Sequence, residues 1–125
     1  MILGSCFLSN LMAGDEGAVA KLDELVAEGR PLSVSTPSVT EVERGLGARG
    51  RETFDDVIAD VDVVAYEREM AHRAATLLRS LDDDGRPVGA VDAMIAATAL
   101  ERDGAVVTRN VSEFRRLDGV RPVPY

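Results

Sequence analysis

The chain has 125 residues, a formal charge of −8 and a single cysteine, enough for one domain with a real core and too short for two ordinary ones. No apolar run approaches the roughly 20 residues of a membrane helix. The opening Met1 to Met12 also lacks a basic start and a small-residue cleavage site, so a cytoplasmic protein with no membrane segment is expected. The acidic balance argues against holding nucleic acid mainly by phosphate neutralisation, though not against a protein in which a bound cation meets the phosphate.

Met1-Ile2-Leu3 is a short apolar run ended by Gly4-Ser5, which predicts a buried strand opening onto a turn at residues 4 to 6. Cys6 has no partner for an internal disulfide and is expected to pack as a small buried hydrophobe. Asp15-Glu16 ahead of Ala18, Val19, Leu22, Leu25 and Val26, with Gly29 at the stop, predicts an amphipathic helix over 15–28. Residues 32–36 read as a second strand, and Thr36-Pro37 opens a helix carrying Val39, Val42 and Leu46. A short helix over 51–60 and an edge-like strand over 61–65 follow. The spacing of Met70, Ala74, Leu77, Leu78 and Leu81 then predicts a helix over 66–81, ending in a solvated turn at 82–87.

Asp92 heads the nearly continuous apolar stretch Ala93 to Leu100, expected to be a helix buried on most sides. A strand over 105–108, a turn with a short helix over 110–117 and a last strand over 121–125 complete the chain. Alternating strands and helices imply an α/β fold with a mainly parallel sheet of four or five strands covered on both faces, and ligand sites outside the carboxyl ends of the strands.

That rule selects four places: residues 4 to 6, Glu41, Asp92, and Asn110 to Glu113. Taken singly, Asp92 reads as an N-terminal cap, Glu41 as part of a solvated face and Glu113 as a surface acid near a helix start. Together they fall at one edge of the sheet. Clustered carboxylates repel one another unless a cation is present, so the combination points to Mg²⁺ or Mn²⁺, hard ions that favour oxygen ligands. His72, on a charged helix face, reads as solvated surface. No Cys/His zinc spacing, P-loop or G-x-G-x-x-G occurs, and Ser5 has no His-Asp arrangement for acyl transfer.

Met1-Ile2-Leu3 with Ser5, Ser35-Thr36 to Glu41 with Arg44-Gly45-Leu46, Val91-Asp92-Ala93-Met94-Ile95-Ala96-Ala97-Thr98-Ala99, and Thr108-Arg109-Asn110 with Phe114 resemble the VapC-type toxins of the PIN-domain family. The resemblance spans essentially the whole chain. It implies one three-layer α/β/α domain over 1–125 and a Mg²⁺- or Mn²⁺-dependent endoribonuclease, homodimeric and held inactive by a cognate antitoxin. Carried over by position, Glu41 and Asp92 match the family's second and third acids, and Asn110 and Glu113 are both candidates for the fourth. Gly4 stands where the family usually has its first aspartate, and it brings no side-chain ligand.

Three explanations of Gly4 compete: an inactive relative that still binds a partner, a weak site held by Glu41, Asp92 and Glu113, or a single-base replacement of aspartate arising in cloning. In the implied mechanism the acidic cluster holds one or two cations, and Glu41 or Glu113 positions or deprotonates the attacking water. The main rival is an inactive PIN-like module that binds an antitoxin or another chain in a groove lined by the helices at 15–28 and 37–46. A phosphoryl-accepting receiver domain is disfavoured, because Thr108-Arg109 follows the late strand and Lys21, the only lysine, lies on an early helix.

Overall fold

A computed structural model describes residues 1–125. In chain order the elements are β1 (Ile2–Leu3), α1 (Ser5–Met12), α2 (Glu16–Ala27), β2 (Ser33–Ser35), α3 (Thr36–Glu43), α4 (Ala48–Ile58), β3 (Asp62–Val64), α5 (Arg68–Asp83), α6 (Ala90–Leu100), β4 (Ala105–Val107), α7 (Val111–Arg115) and β5 (Arg121–Val123). The five strands form one sheet in the order β3-β2-β1-β4-β5, and every pairing is parallel. The expected edge strand is β3.

Successive strand residues point to opposite faces, and the two cores follow that alternation. Ile2 and Val106 join the apolar cluster under α5 and α6, together with Ala93, Ile95, Ala96, Ala97 and Ala99. Met1, Leu3, Val34, Ala105 and Val107 face the other way, against Phe7 and Leu8 of α1, Ala18 and Leu25 of α2, Val42 of α3 and Phe54 of α4. Three layers result, helices on each side of the sheet. The residues Ala93 and Ile95 to Ala99 are wholly inaccessible, which explains why α6 shows no apolar stripe: a helix walled in all round has no polar face to alternate with.

Side-chain caps set the starts of two of the seven helices. The Asp15 side chain caps α2 by accepting from Ala18 N at 2.9 Å, and Ser35 caps α3 from Ser38 N at 3.3 Å with proline in the first turn. Asp15 also receives the Arg109 guanidinium at 3.0 and 2.6 Å, which holds its carboxyl below the usual range, with the Ala18 amide adding to the effect. Arg109 lies 4.4 Å over the Tyr125 ring. That ring meets Phe7 edge-on at 4.9 Å and its hydroxyl accepts from Asn10 Nδ2 at 2.7 Å. The loop after β4, the start of α2 and the chain's last residue are thereby tied to α1.

Four expectations need correction. Residues 4 to 6 are not a turn, since α1 begins at Ser5 directly after β1. It lacks an acid in its first turn and a side-chain cap, so its apolar residues carried no helix signature. Helix α5 runs on to Asp83, into the stretch read as solvated turn, and the chain turns at Gly85 with φ +71. Helix α4 starts at Ala48, behind Gly47, rather than at 51. Cys6 is exposed, because α1 turns Phe7 and Leu8 into the core and Cys6 outward.

Candidate metal-ion and phosphodiester site

The central strand β1 is flanked by β2 and β4, so their three exits lie side by side at the point where the strand order reverses. Open parallel sheets place ligands there. Gly4 follows β1 and is the N-cap of α1; Glu41 rides on α3, which leaves β2 directly. Asn110 and Glu113 follow β4. Asp92 comes from the first turn of α6.

Asp92 is not a cap. Gly89 holds the N-cap position without a side-chain hydrogen bond, and the Asp92 carboxylate stands free in the first turn. Its pKa is raised from the ordinary 3.8 by partial burial first, then by the charge of Glu41, then by that of Glu113. A helix N-terminus favours an anion by about 0.3–1 kcal/mol, so burial and two like charges outweigh it here. The structure therefore brings Glu41 and Glu113 each within electrostatic reach of Asp92. None of the three takes part in any of the ion pairs of the molecule.

Two polar neighbours orient these acids. The buried Ser5 hydroxyl donates to Glu41 Oε1 at 2.7 Å, a role the sequence did not reveal; the only signal was a small hydroxyl directly after the first strand. Asn110 is exposed and its Nδ2 donates to Glu113 Oε2 at 3.4 Å, while its own N–H is held by Thr108 Oγ1 at 2.9 Å. Asn110 thus touches Glu113 rather than Asp92. Cys6 stands on the same rim, its thiol pushed up by partial burial and then by the charges of Asp92 and Glu41, against a lowering hydrogen bond from Ser5. His72 is exposed on α5, as expected.

Uncompensated carboxylates around a half-buried acid are the donor chemistry of a hard divalent cation. No three His, Cys, Asp or Glu side chains lie close enough together to hold an ion among them. Mg²⁺, however, commonly takes one or two carboxylates and keeps water and substrate phosphate for its other positions. Asp92 with a neighbouring carboxylate fits such a partial shell. At Gly4 the backbone is close: its N–H donates to the Val107 carbonyl at 3.1 Å, and an added Cβ would stand 2.8 Å from that oxygen.

Removing the Ser5 hydroxyl tests the orienting contact. Ser5→Ala is expected to lower stability by about 1 kcal/mol in urea unfolding and to weaken any divalent-ion binding by roughly tenfold; unchanged ion affinity would assign Ser5 to packing alone.

The fold and the position of the acids define the class: a parallel α/β protein with an acidic site outside the carboxyl ends of its strands. Comparison with known proteins makes it specific. The PIN-domain family model matches residues 1–120. The tRNA(fMet)-specific endonuclease VapC of Shigella flexneri is 34% identical over 91 residues, 67% of this chain and 69% of that protein. Ribonuclease VapC10 of Mycobacterium tuberculosis is 30% identical over 114 residues, 90% and 86% of the two chains. Among solved structures, VapBC2 of Rickettsia felis bound to a promoter DNA fragment superposes with a TM-score of 0.87 at 18% identity, covering 99% of this chain and 97% of that one. DNA-bound VapBC of Salmonella typhimurium gives 0.81 at 25% identity, covering 98% and 96%. The chain belongs to the PIN-domain family, among its VapC-type members. No helix is long and apolar enough to cross a membrane.

Proposed function

We propose that this chain is a VapC-type endoribonuclease toxin that hydrolyses RNA phosphodiesters with Mg²⁺ or Mn²⁺, that its activity is impaired by Gly4, and that it works as a cytoplasmic homodimer restrained by a cognate antitoxin. The observation that carries the reading is the approach of Glu41 and Glu113 to the half-buried Asp92, with no cationic side chain to balance them. The nuclease names of its relatives and the toxin–antitoxin complexes among its structural neighbours support the class of reaction and the partner.

Asp92 and Glu41 would hold the cation, Asp92 through a carboxylate already stripped of part of its water and Glu41 through the oxygen that Ser5 leaves free. When bound, the ion supplies positive charge to the phosphodiester and acidifies water. Glu113, held by Asn110 and coupled to Asp92, would accept a proton from the attacking water. Gly4 contributes no oxygen, so the cluster is one ligand short and holds the ion weakly.

One observation favours a second reading, an inactive module that keeps only its protein partner: at position 4 the backbone leaves little room for a side chain. The two readings part on a single experiment. Single-stranded RNA is incubated with the Gly4→Asp variant in Mn²⁺ or in chelator. Cleavage confined to Mn²⁺ supports the enzyme; none in either condition, from a folded variant, supports the module.

A further inference from the structure

Residues 108–110 form the turn between β4 and α7, which leads into the acidic site through Asn110 and Glu113. Arg109, in the middle of that turn, is held from several sides. Its Nη1 and Nη2 donate to the two Asp15 carboxylate oxygens at 3.0 and 2.6 Å, its Nε lies 3.5 Å from the Tyr125 carbonyl oxygen, and its guanidinium stands 4.4 Å over the Tyr125 ring. Two-pronged pairing and stacking fix a planar fork in orientation as well as position. Gly17, in the first turn of α2, makes the seat: an added Cβ there would stand 2.7 Å from Arg109 Nη2. Glycine weakens a helix, so α2 gives up stability where the guanidinium needs room.

This clamp joins positions 94 apart in the chain, yet its partners are part exposed, Arg109 at 44% and Asp15 at 29%. Ion pairs at such places add little to stability. What the clamp fixes is the turn. Thr108 is anchored on β5 through the Val123 carbonyl, and past it Arg109 supplies the tie to α2. The Asn110 N–H is satisfied within the turn, by Thr108 Oγ1 at 2.9 Å. Asn110 Nδ2 then reaches Glu113 Oε2 at 3.4 Å, beyond the roughly 2.7–3.2 Å usual for N–H···O. A contact that long is lost when the turn shifts by a fraction of an ångström, so Asn110 cannot hold the turn in place; the turn must hold Asn110.

We propose that Arg109 is a positioning residue: clamped by Asp15, it sets Asn110 and, through it, the Glu113 carboxylate. The part Glu113 plays in cleavage rests on the proposed function; its placement by Arg109 does not.

Two variants release the clamp by different routes. Asp15→Asn keeps a cap for α2, since asparagine serves there as well as aspartate, and removes the ion pair; Arg109→Lys keeps the charge and removes the fork. In the chain as it stands, NMR relaxation should show the backbone of residues 109–113 and the Asn110 side-chain amide loosened in both variants, with α6 and the sheet unchanged. In the Gly4→Asp background each should lower kcat for RNA cleavage at least about tenfold, with KM and Mn²⁺ affinity held within about twofold. Neither should lower kcat further once Glu113→Gln is present, because groups acting through one another are not additive. A folded variant whose turn is as ordered as the parent's, or kcat losses that add to that of Glu113→Gln, would overturn the proposal. Absence of cleavage by Gly4→Asp itself would count against the nuclease reading, and the relaxation data would still decide the placement of Glu113.

Discussion

Gly4→Asp is expected to raise Mn²⁺-dependent cleavage of single-stranded RNA by at least about a hundredfold, the scale on which loss of a well-placed metal-site group is felt, and to lower stability at the same time. The backbone at position 4 has φ −69 and ψ 158, which any L-residue accepts, so the added carboxylate costs no strained dihedral. The cost is contact: the new Cβ stands 2.8 Å from the Val107 carbonyl oxygen, the same oxygen that accepts the position-4 N–H. The exits of β1 and β4 must part slightly, at a cost of about 1–3 kcal/mol. Gly4→Ala makes the same contact without the carboxylate and should lose the same stability with no gain in cleavage. If Gly4→Ala and Gly4→Asp cleave alike, the carboxylate is not the missing element.

Asp92→Asn is expected to stabilise the protein while removing its function. Because the folded-state pKa of Asp92 lies above the ordinary 3.8, the native state binds this proton more tightly than the unfolded chain does. The stability linked to Asp92 is therefore fully present below pH 3.8 and is lost as pH rises through the raised value. At neutral pH the ionised carboxylate is a burden, set up by burial, then Glu41, then Glu113. Asparagine lifts that burden, and urea unfolding at pH 7 should show a gain of about 1 kcal/mol, typical of relieving a functional site. The gain should shrink steadily as the pH is lowered towards 4. Saturating Mn²⁺ should reverse the order, stabilising the parent chain and leaving Asp92→Asn unmoved. A variant less stable than its parent at pH 7 without metal would show that the Asp92 carboxylate is already well compensated.

The layout of the fold was largely open to a reading of residues. Ile2-Leu3 and Val106 stand in short apolar runs, Val34 alternates with serines in a strand-like segment, and helices between them force parallel pairing. Asp92 could be singled out because it interrupts an otherwise apolar stretch, and Glu41 because α3 leaves β2 with no intervening loop. Their nearness to each other and to Glu113 is a matter of strand order, which follows from tertiary packing and is not written in any local pattern. The rule placing ligands at strand exits supplied the edge of the sheet, but not the distances.

What escaped the sequence has physical causes too. Helix α1 carries no cap and no first-turn acid, so Cys6, Phe7 and Leu8 could not be assigned to faces, and Cys6 was misplaced in the core. The Ser5 contact to Glu41 spans 36 positions and depends on α1 existing. Gly4 stands where the resemblance implies an aspartate, and the structure shows how little space its backbone leaves.

The most direct measurement is the affinity for Mn²⁺, by calorimetry at pH 7, of three proteins: the chain as it stands, Gly4→Asp and Asp92→Asn. A shared cation pocket predicts binding at least about tenfold tighter for Gly4→Asp and at least about tenfold weaker for Asp92→Asn. Equal affinities in all three, or no binding even with aspartate at position 4, would contradict it.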